Sequence, residues 1–107
     1  MSGGMIYELT LIAMEPVKNE LAEEVLQPGR ETKILGRVES VSRSEWYDAG
    51  REGMAPEMVF VTPAVNYRGE QQAQWQGERY KIYRTYRRRS SQEIELYLGR
   101  RVGVSPS

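Results

Sequence analysis

The sequence predicts a mainly β chain: a small antiparallel β-barrel of about six strands with one short helix inserted after the second strand. Three features predict it. Residues 75–86 read W-Q-G-E-R-Y-K-I-Y-R-T-Y, with aromatic and β-branched residues alternating with charged ones around a glycine, the pattern of a hairpin. Short apolar runs recur along the chain between turn-forming residues. A single strong helix start, Ser42-Arg43-Ser44-Glu45, fits the capping box, with Ser42 as N-cap and Glu45 three residues on.

Taken in order, residues 6–14 read as the first strand. Its apolar positions do not alternate cleanly, so it is expected to be buried in part on both faces, and Pro16 is expected to end it. Residues 15–31 allow two local readings. Val17, Leu21 and Val25 fall on one face of a helix, while Glu24–Gln27 would suit a short strand after a turn, with Pro28-Gly29 closing the stretch as a second turn. The expectation is an extended, solvent-facing excursion. Residues 32–41 form the second strand, with Ile34, Gly36 and Val38 alternating against Leu35, Arg37 and Glu39.

The helix then follows, with Val41 and Trp46 as a hydrophobic staple and Trp46 and Ala49 on the face toward the barrel. Gly50 or Gly53 stops it and Pro56 forbids its return. Residues 57–65 are the third strand, where Pro63 implies an edge or a bulge. Gly69 supplies the unusual φ of the turn at residues 66–70. Residues 70–76 and 79–87 form a hairpin about a type II′ turn at Gly77-Glu78, which sets Trp75 opposite Tyr80 and Ala73 opposite Ile82 on the core face. Residues 93–100 are the last strand, with Ile94, Leu96 and Leu98 inward. A hairpin centred near Ser90 would pair Arg87 with Glu93, Thr85 with Glu95 and Tyr83 with Tyr97 on the outer face.

At 107 residues the chain is expected to be one domain, 1–107, with a flexible start at 1–4 and a flexible tail at 103–107. It can bury one core but not two. No apolar run approaches the roughly 18 residues of a membrane span, and residues 1–4 do not open a signal peptide, so no membrane partner is expected. There is no cysteine, which excludes disulfides and thiolate metal sites, and no histidine, the commonest general base. These absences weigh against an enzyme, and no catalytic residue, metal site or cofactor is expected.

Net charge is zero but unevenly distributed. Residues 1–31 carry six Glu against Lys18 and Arg30, residues 79–107 carry eight Lys or Arg against Glu93 and Glu95, and residues 32–78 carry seven acids and five bases. Opposite poles on one subunit suit a head-to-tail, ring-forming contact; the plainer reading is that both simply face water. Arg87, Arg88 and Arg89 are the one basic run, suited to DNA phosphates in a channel, to an acidic neighbouring subunit, or to a solvated hairpin turn. Glu20, Glu23 and Glu24 suit an acidic surface facing a partner better than a cation site, for which the alternating ligand pattern is missing. Seven Tyr and two Trp could stack on bases, but Trp46, Trp75 and Tyr80 are placed as staple or core residues. Tyr47, Tyr83 and Tyr97 are expected to be exposed and able to anchor a protein interface.

Several segments together carry a family resemblance. V-E-S-V-S-R-S-E-W-Y-D-A-G at residues 38–50 is followed by G-M-A-P-E at 53–57, N-Y-R-G-E at 66–70, Y-K-I-Y-R-T-Y at 80–86 and E-I-E-L-Y-L at 93–98. In this order and spacing, over roughly residues 5 to 103, they resemble the head closure (head–tail joining, or connector) proteins of tailed bacteriophages. Met54 stands where Leu is usual, and Trp46-Tyr47 where Phe or Tyr is usual. The resemblance implies a small β-barrel that forms a homo-oligomeric ring in the virion neck, assembled in the host cytoplasm, below a portal or adaptor protein and above a tail-side protein. Such a ring closes the DNA-filled head and has no catalytic residues. Its contacting loops vary in sequence, so no site residue carries over. The alternative from another class is a small single-strand nucleic-acid-binding barrel.

Overall fold

The computed structural model describes residues 5–102. The expected flexible ends at 1–4 and 103–107 lie outside the described residues. In chain order the elements are β1 (Tyr7–Lys18), β2 (Glu24–Glu39), α1 (Arg43–Arg51), β3 (Met54–Pro63), a 3-10 turn at Ala64–Asn66, β4 (Gln72–Trp75), β5 (Glu78–Arg88) and β6 (Glu93–Arg101). The strands close into a barrel in the order β1-β2-β3-β6-β5-β4, every neighbouring pair antiparallel. The expected mainly β barrel with one helix after its second strand is what forms.

The core follows from strand alternation. Leu9 and Leu11 of β1, Ile34 of β2, Met58 and Phe60 of β3, Ala73 of β4, Tyr80 and Ile82 of β5, and Ile94, Leu96 and Leu98 of β6 form one buried cluster. Trp75 packs edge-on against Phe60 and Tyr7, at centroid distances of 6.2 and 5.4 Å. Gly36 is required where β2 crosses β3, because a side chain there would run into the Val61 carbonyl and the Phe60 ring. Strand β3 is buried on both faces: Met58 and Phe60 point inward, while Val59 and Val61 lie outside, flanked by Arg37, Glu39, Glu95 and Tyr97 on the adjacent strands. Buried Thr62 is satisfied by donating to the Leu35 carbonyl and accepting from Asn66, each at 2.8 Å.

The helix is capped as its sequence predicts. Ser42 Oγ accepts from the Glu45 amide at 3.1 Å. Gly53, at φ +82°, follows the last turn and sends its amide to the Gly50 carbonyl. One expectation about this helix fails: Ala49 is fully buried, but Trp46 is 54% exposed. The small Ala49 lets the helix lie close on the sheet, and the large indole is left beyond the contact.

The first hairpin differs most from expectation. Pro16 does not end β1, which runs on to Lys18, and residues 15–31 are neither helical nor closed by a turn at Pro28-Gly29. Instead β1 and β2 continue past the barrel as a two-stranded arm, pairing Met14 with Pro28, Pro16 with Leu26 and Lys18 with Glu24. The extended, solvent-facing excursion is therefore present, and the strand alternative for residues 24–27 is what forms. Pro28 and Gly29 sit at the irregularity between Ile12 and Met14 where the arm leaves the barrel; Gly29 leaves room for Glu15, whose carboxylate accepts from the Arg30 amide.

Two registers also differ. The β4–β5 turn is Gln76-Gly77, both at positive φ (49° and 84°), which is a type I′ geometry. Ala73 therefore faces Tyr80, and Trp75 faces Glu78. In the β5–β6 hairpin Arg88, not Arg87, pairs with Glu93, and Arg84 pairs with Tyr97. A bulge between Ile82 and Arg84 inserts Tyr83 as an extra residue. Below it Ile82 points into the core; above it Arg84, Tyr86 and Arg88 share the outer face with Tyr97, Glu95 and Glu93.

Candidate interaction surfaces

Three surfaces carry the residues singled out from the sequence. The first is the arm tip. Asn19 builds it: its side-chain oxygen accepts from the amides of Leu21 and Glu23 at 2.9 Å, and its amide group donates to the Glu23 carboxylate at 3.1 Å. Ala22 is held at φ +62°, a conformation that non-glycine residues adopt only when their surroundings fix it. The loop thus presents Leu21, 77% exposed, between Glu20 and Glu23, with Glu24 opening β2 beside it. Among the described residues, Glu20, Glu23 and Glu24 do not converge into a group that could hold a metal ion. Val17 and Leu26 add further exposed apolar surface along the arm.

The second surface is the outer face of the β5–β6 hairpin. Arg88 is only 28% exposed and lies among carboxylates: its Nε donates to Glu95 at 2.6 Å, one terminal nitrogen donates to Glu39 at 2.9 Å, and Glu93 is 3.8 Å away. Arg37 reaches Glu93 with both terminal nitrogens, at 2.6 and 3.3 Å. The network ties β2, β5 and β6 together across β3. Arg37 and Arg88 keep their charge beyond the usual guanidinium range through these hydrogen bonds, and the Arg37 hydrogen bond holds Glu93 below the usual carboxylate value. The three arginines are therefore not equivalent. Arg88 belongs to this structural network, while Arg87, exposed in β5, and Arg89, in the turn, make no ion pair among the described residues. All three line one open depression with Gln92.

The third surface surrounds α1. Glu45 completes no reciprocal bond to its own cap. Its carboxylate instead accepts from the Tyr83 hydroxyl at 2.8 Å and from Arg84 at 2.5 Å, latching the helix to β5. The bulge makes this possible by turning both Tyr83 and Arg84 outward. Tyr83 and Tyr97 are half-buried rather than exposed as expected, packed edge-on at 6.2 Å, with Tyr97 donating to Glu95 at 2.6 Å. Burial, then the hydrogen bond to Glu95, push the Tyr97 phenol up to about 12; burial, then the bond to Glu45, push Tyr83 higher still. Tyr47 is exposed as expected, stacked edge-on against Trp46 at 6.1 Å. With Val41, Ser42 and Arg43 these rings line an open groove of about 510 Å³ beside the first turn of the helix.

Sequence reasoning missed the Glu45 latch, the Arg88 network and this groove. Both include bonds between residues 38 to 56 positions apart, and the outward placing of Arg84 and Arg88 depends on the bulge at Tyr83, which no local pattern announces. The groove could have been found from its two adjacent aromatics, because consecutive helical residues cannot both face one sheet. No known family pattern matches the chain, and no characterised protein emerges as a relative.

Proposed function

We propose that this chain is a non-enzymatic structural subunit of a phage neck, copies of which form a ring that closes the DNA-filled head and joins it to the tail. The observation that carries this reading is the arm. The barrel completes its own core, yet β1 and β2 extend beyond it as a tied, solvent-exposed hairpin with apolar and acidic side chains and no packing partner among the described residues. Such an element supplies no member of the buried cluster and suits a contact with another molecule. The motif resemblance supplies the context: a portal or adaptor protein on one side of the ring, a tail-side protein on the other, and packaged DNA in the channel.

The mechanism is geometric. Identical subunits repeat one heterologous contact until the ring closes, and its bore sets whether DNA escapes. Of the basic run, exposed Arg87 and Arg89 are the two left free to face DNA phosphates. Deleting the gene from a phage that carries it tests the reading: DNA-filled or leaking heads without tails are expected, and normal infectious particles would refute it.

A second reading, a single-strand nucleic-acid-binding barrel, is favoured by one observation. Tyr86, 60% exposed, lies on the outer face of β5 and exposed Arg87, next in sequence, on the opposite face, both beyond the end of the short β4. Tight oligonucleotide binding by the free monomer, falling steeply with salt, would favour that reading over the ring.

A further inference from the structure

The arm needs a site to dock in, and the groove beside α1 needs an occupant. We infer that the arm tip of one copy seats in the α1 groove of a second copy, with Leu21 against Trp46 and Tyr47 and the tip carboxylates facing Arg43. This names the subunit contact of the proposed ring and rests on that reading.

Four observations carry it. The tip is pre-organised: Asn19 ties the loop through three side-chain hydrogen bonds, so little ordering remains to oppose binding. Pro16 in β1 and Pro28 in β2 each remove an N–H from the arm and so blunt pairing along its edges, which favours recognition through side chains. The groove offers a Trp, a Tyr and an Arg together, the residue types that dominate binding hot spots, and its two rings are 54% and 62% exposed.

Charge is complementary as well. Residues 14–28 carry Glu15, Glu20, Glu23 and Glu24 against Lys18 alone. Arg43 pairs with no carboxylate among the described residues and stands at the positive end of the helix.

The contact must lie between copies. Arm and groove sit at opposite ends of β2: the arm leaves the barrel beyond Glu31, whereas α1 begins after Glu39 at the other end. From Leu26 to Glu39 the strand spans roughly 40 Å at about 3.3 Å per residue, so no copy can fill its own groove. A tip-to-groove contact is therefore head-to-tail, and it propagates until the rotation closes a ring.

The absence of cysteine in the chain makes the contact directly readable. Ala22→Cys places a thiol beside Leu21, and Ser44→Cys places one beside Arg43, leaving the proposed contact residues intact. Mixed and treated with a short bismaleimide, the two variants should give covalent dimers at least about tenfold faster than Ala22→Cys mixed with Val65→Cys, the increment expected from burying one leucine. Val65 is 84% exposed and lies away from the groove. Adding Trp46→Ala to the Ser44→Cys partner should remove the advantage.

Equal rates with the Val65→Cys control, efficient joining of Ala22→Cys to itself, or no joining at any concentration would each overturn the inference. Rings that still form without the cross-link would leave the neck reading standing. A cross-link in a protein whose loss does not affect phage particles would sink the neck reading and keep the contact.

Discussion

Substituting Arg88 removes the cation shared by Glu39, Glu93 and Glu95, whereas substituting Arg87 next to it removes a solvated charge. Arg88→Met, which keeps much of the side-chain stem, should cost about 1–3 kcal/mol because charged hydrogen-bond partners are left unmatched. Arg87→Ala should stay within about 0.5 kcal/mol. Denaturant midpoints of the two variants check the contrast, and equal effects would contradict the network. The same network fixes an acid dependence. The Arg37 hydrogen bond lowers the Glu93 pKa in the folded chain, so its contribution is complete above the ordinary carboxylate value and is lost as pH falls through the lowered one. Glu93→Gln should therefore flatten the loss of stability below about pH 4.3 while costing stability at neutral pH. Stability curves against pH for both proteins measure this. The Arg88–Arg87 contrast turns on a one-residue register that the two arginines cannot reveal locally, since either could face Glu93 until the bulge at Tyr83 is known.

At the scale of elements, the features legible in the sequence are those set by neighbours within a few positions. Ser42 and Glu45 announced the helix start, Gly69 the turn after β3, and Ile94, Leu96 and Leu98 the buried face of β6. What stayed hidden depended on a partner strand. Pro16 reads locally as a strand end, yet it is tolerated because β1 pairs with only β2 there, leaving the other edge in solvent. The β4–β5 turn shows how little separates two registers: Gly77 fits the first position of a type II′ turn, but the chain uses Gln76 and Gly77 in a type I′ turn and accepts the cost of a positive φ at Gln76. Asn adopts that conformation more readily than Gln. Gln76→Asn should thus stabilise the protein by about 0.5 kcal/mol without changing the Ala73–Tyr80 pairing. A raised thermal midpoint with unchanged cross-strand contacts by NMR would bear this out; a lowered midpoint would show that the Gln76 side chain matters more than its backbone.

For the whole molecule, the sequence disclosed an acidic beginning and a basic end but not where they lie in space. The fold converts that polarity into shape: the acidic residues gather on an arm that lengthens the molecule to 57 Å, while Arg88 of the basic run is neutralised inside the chain. On the proposed reading the barrel and the arm divide two tasks, stability and association, and separating them tests the division. Replacing residues 14–29 with Asn-Gly joins Ala13 to Arg30 through a two-residue turn and leaves every member of the buried cluster in place. The shortened protein should remain folded, with a thermal midpoint within about 5 °C of the full chain, because no fully buried residue is lost, only exposed or half-buried surface and a closed loop. It should no longer self-associate in sedimentation experiments. Association of the full chain should weaken as salt rises from about 0.05 to 0.5 M, since exposed charges farther apart than a Debye length are screened. It should not vanish, because Leu21, Val17 and Leu26 contribute a term that salt does not screen. An armless barrel that assembles as well as the full chain would move the contact to the barrel wall; one that unfolds would show that the arm, though unpacked, supports the barrel from which it projects.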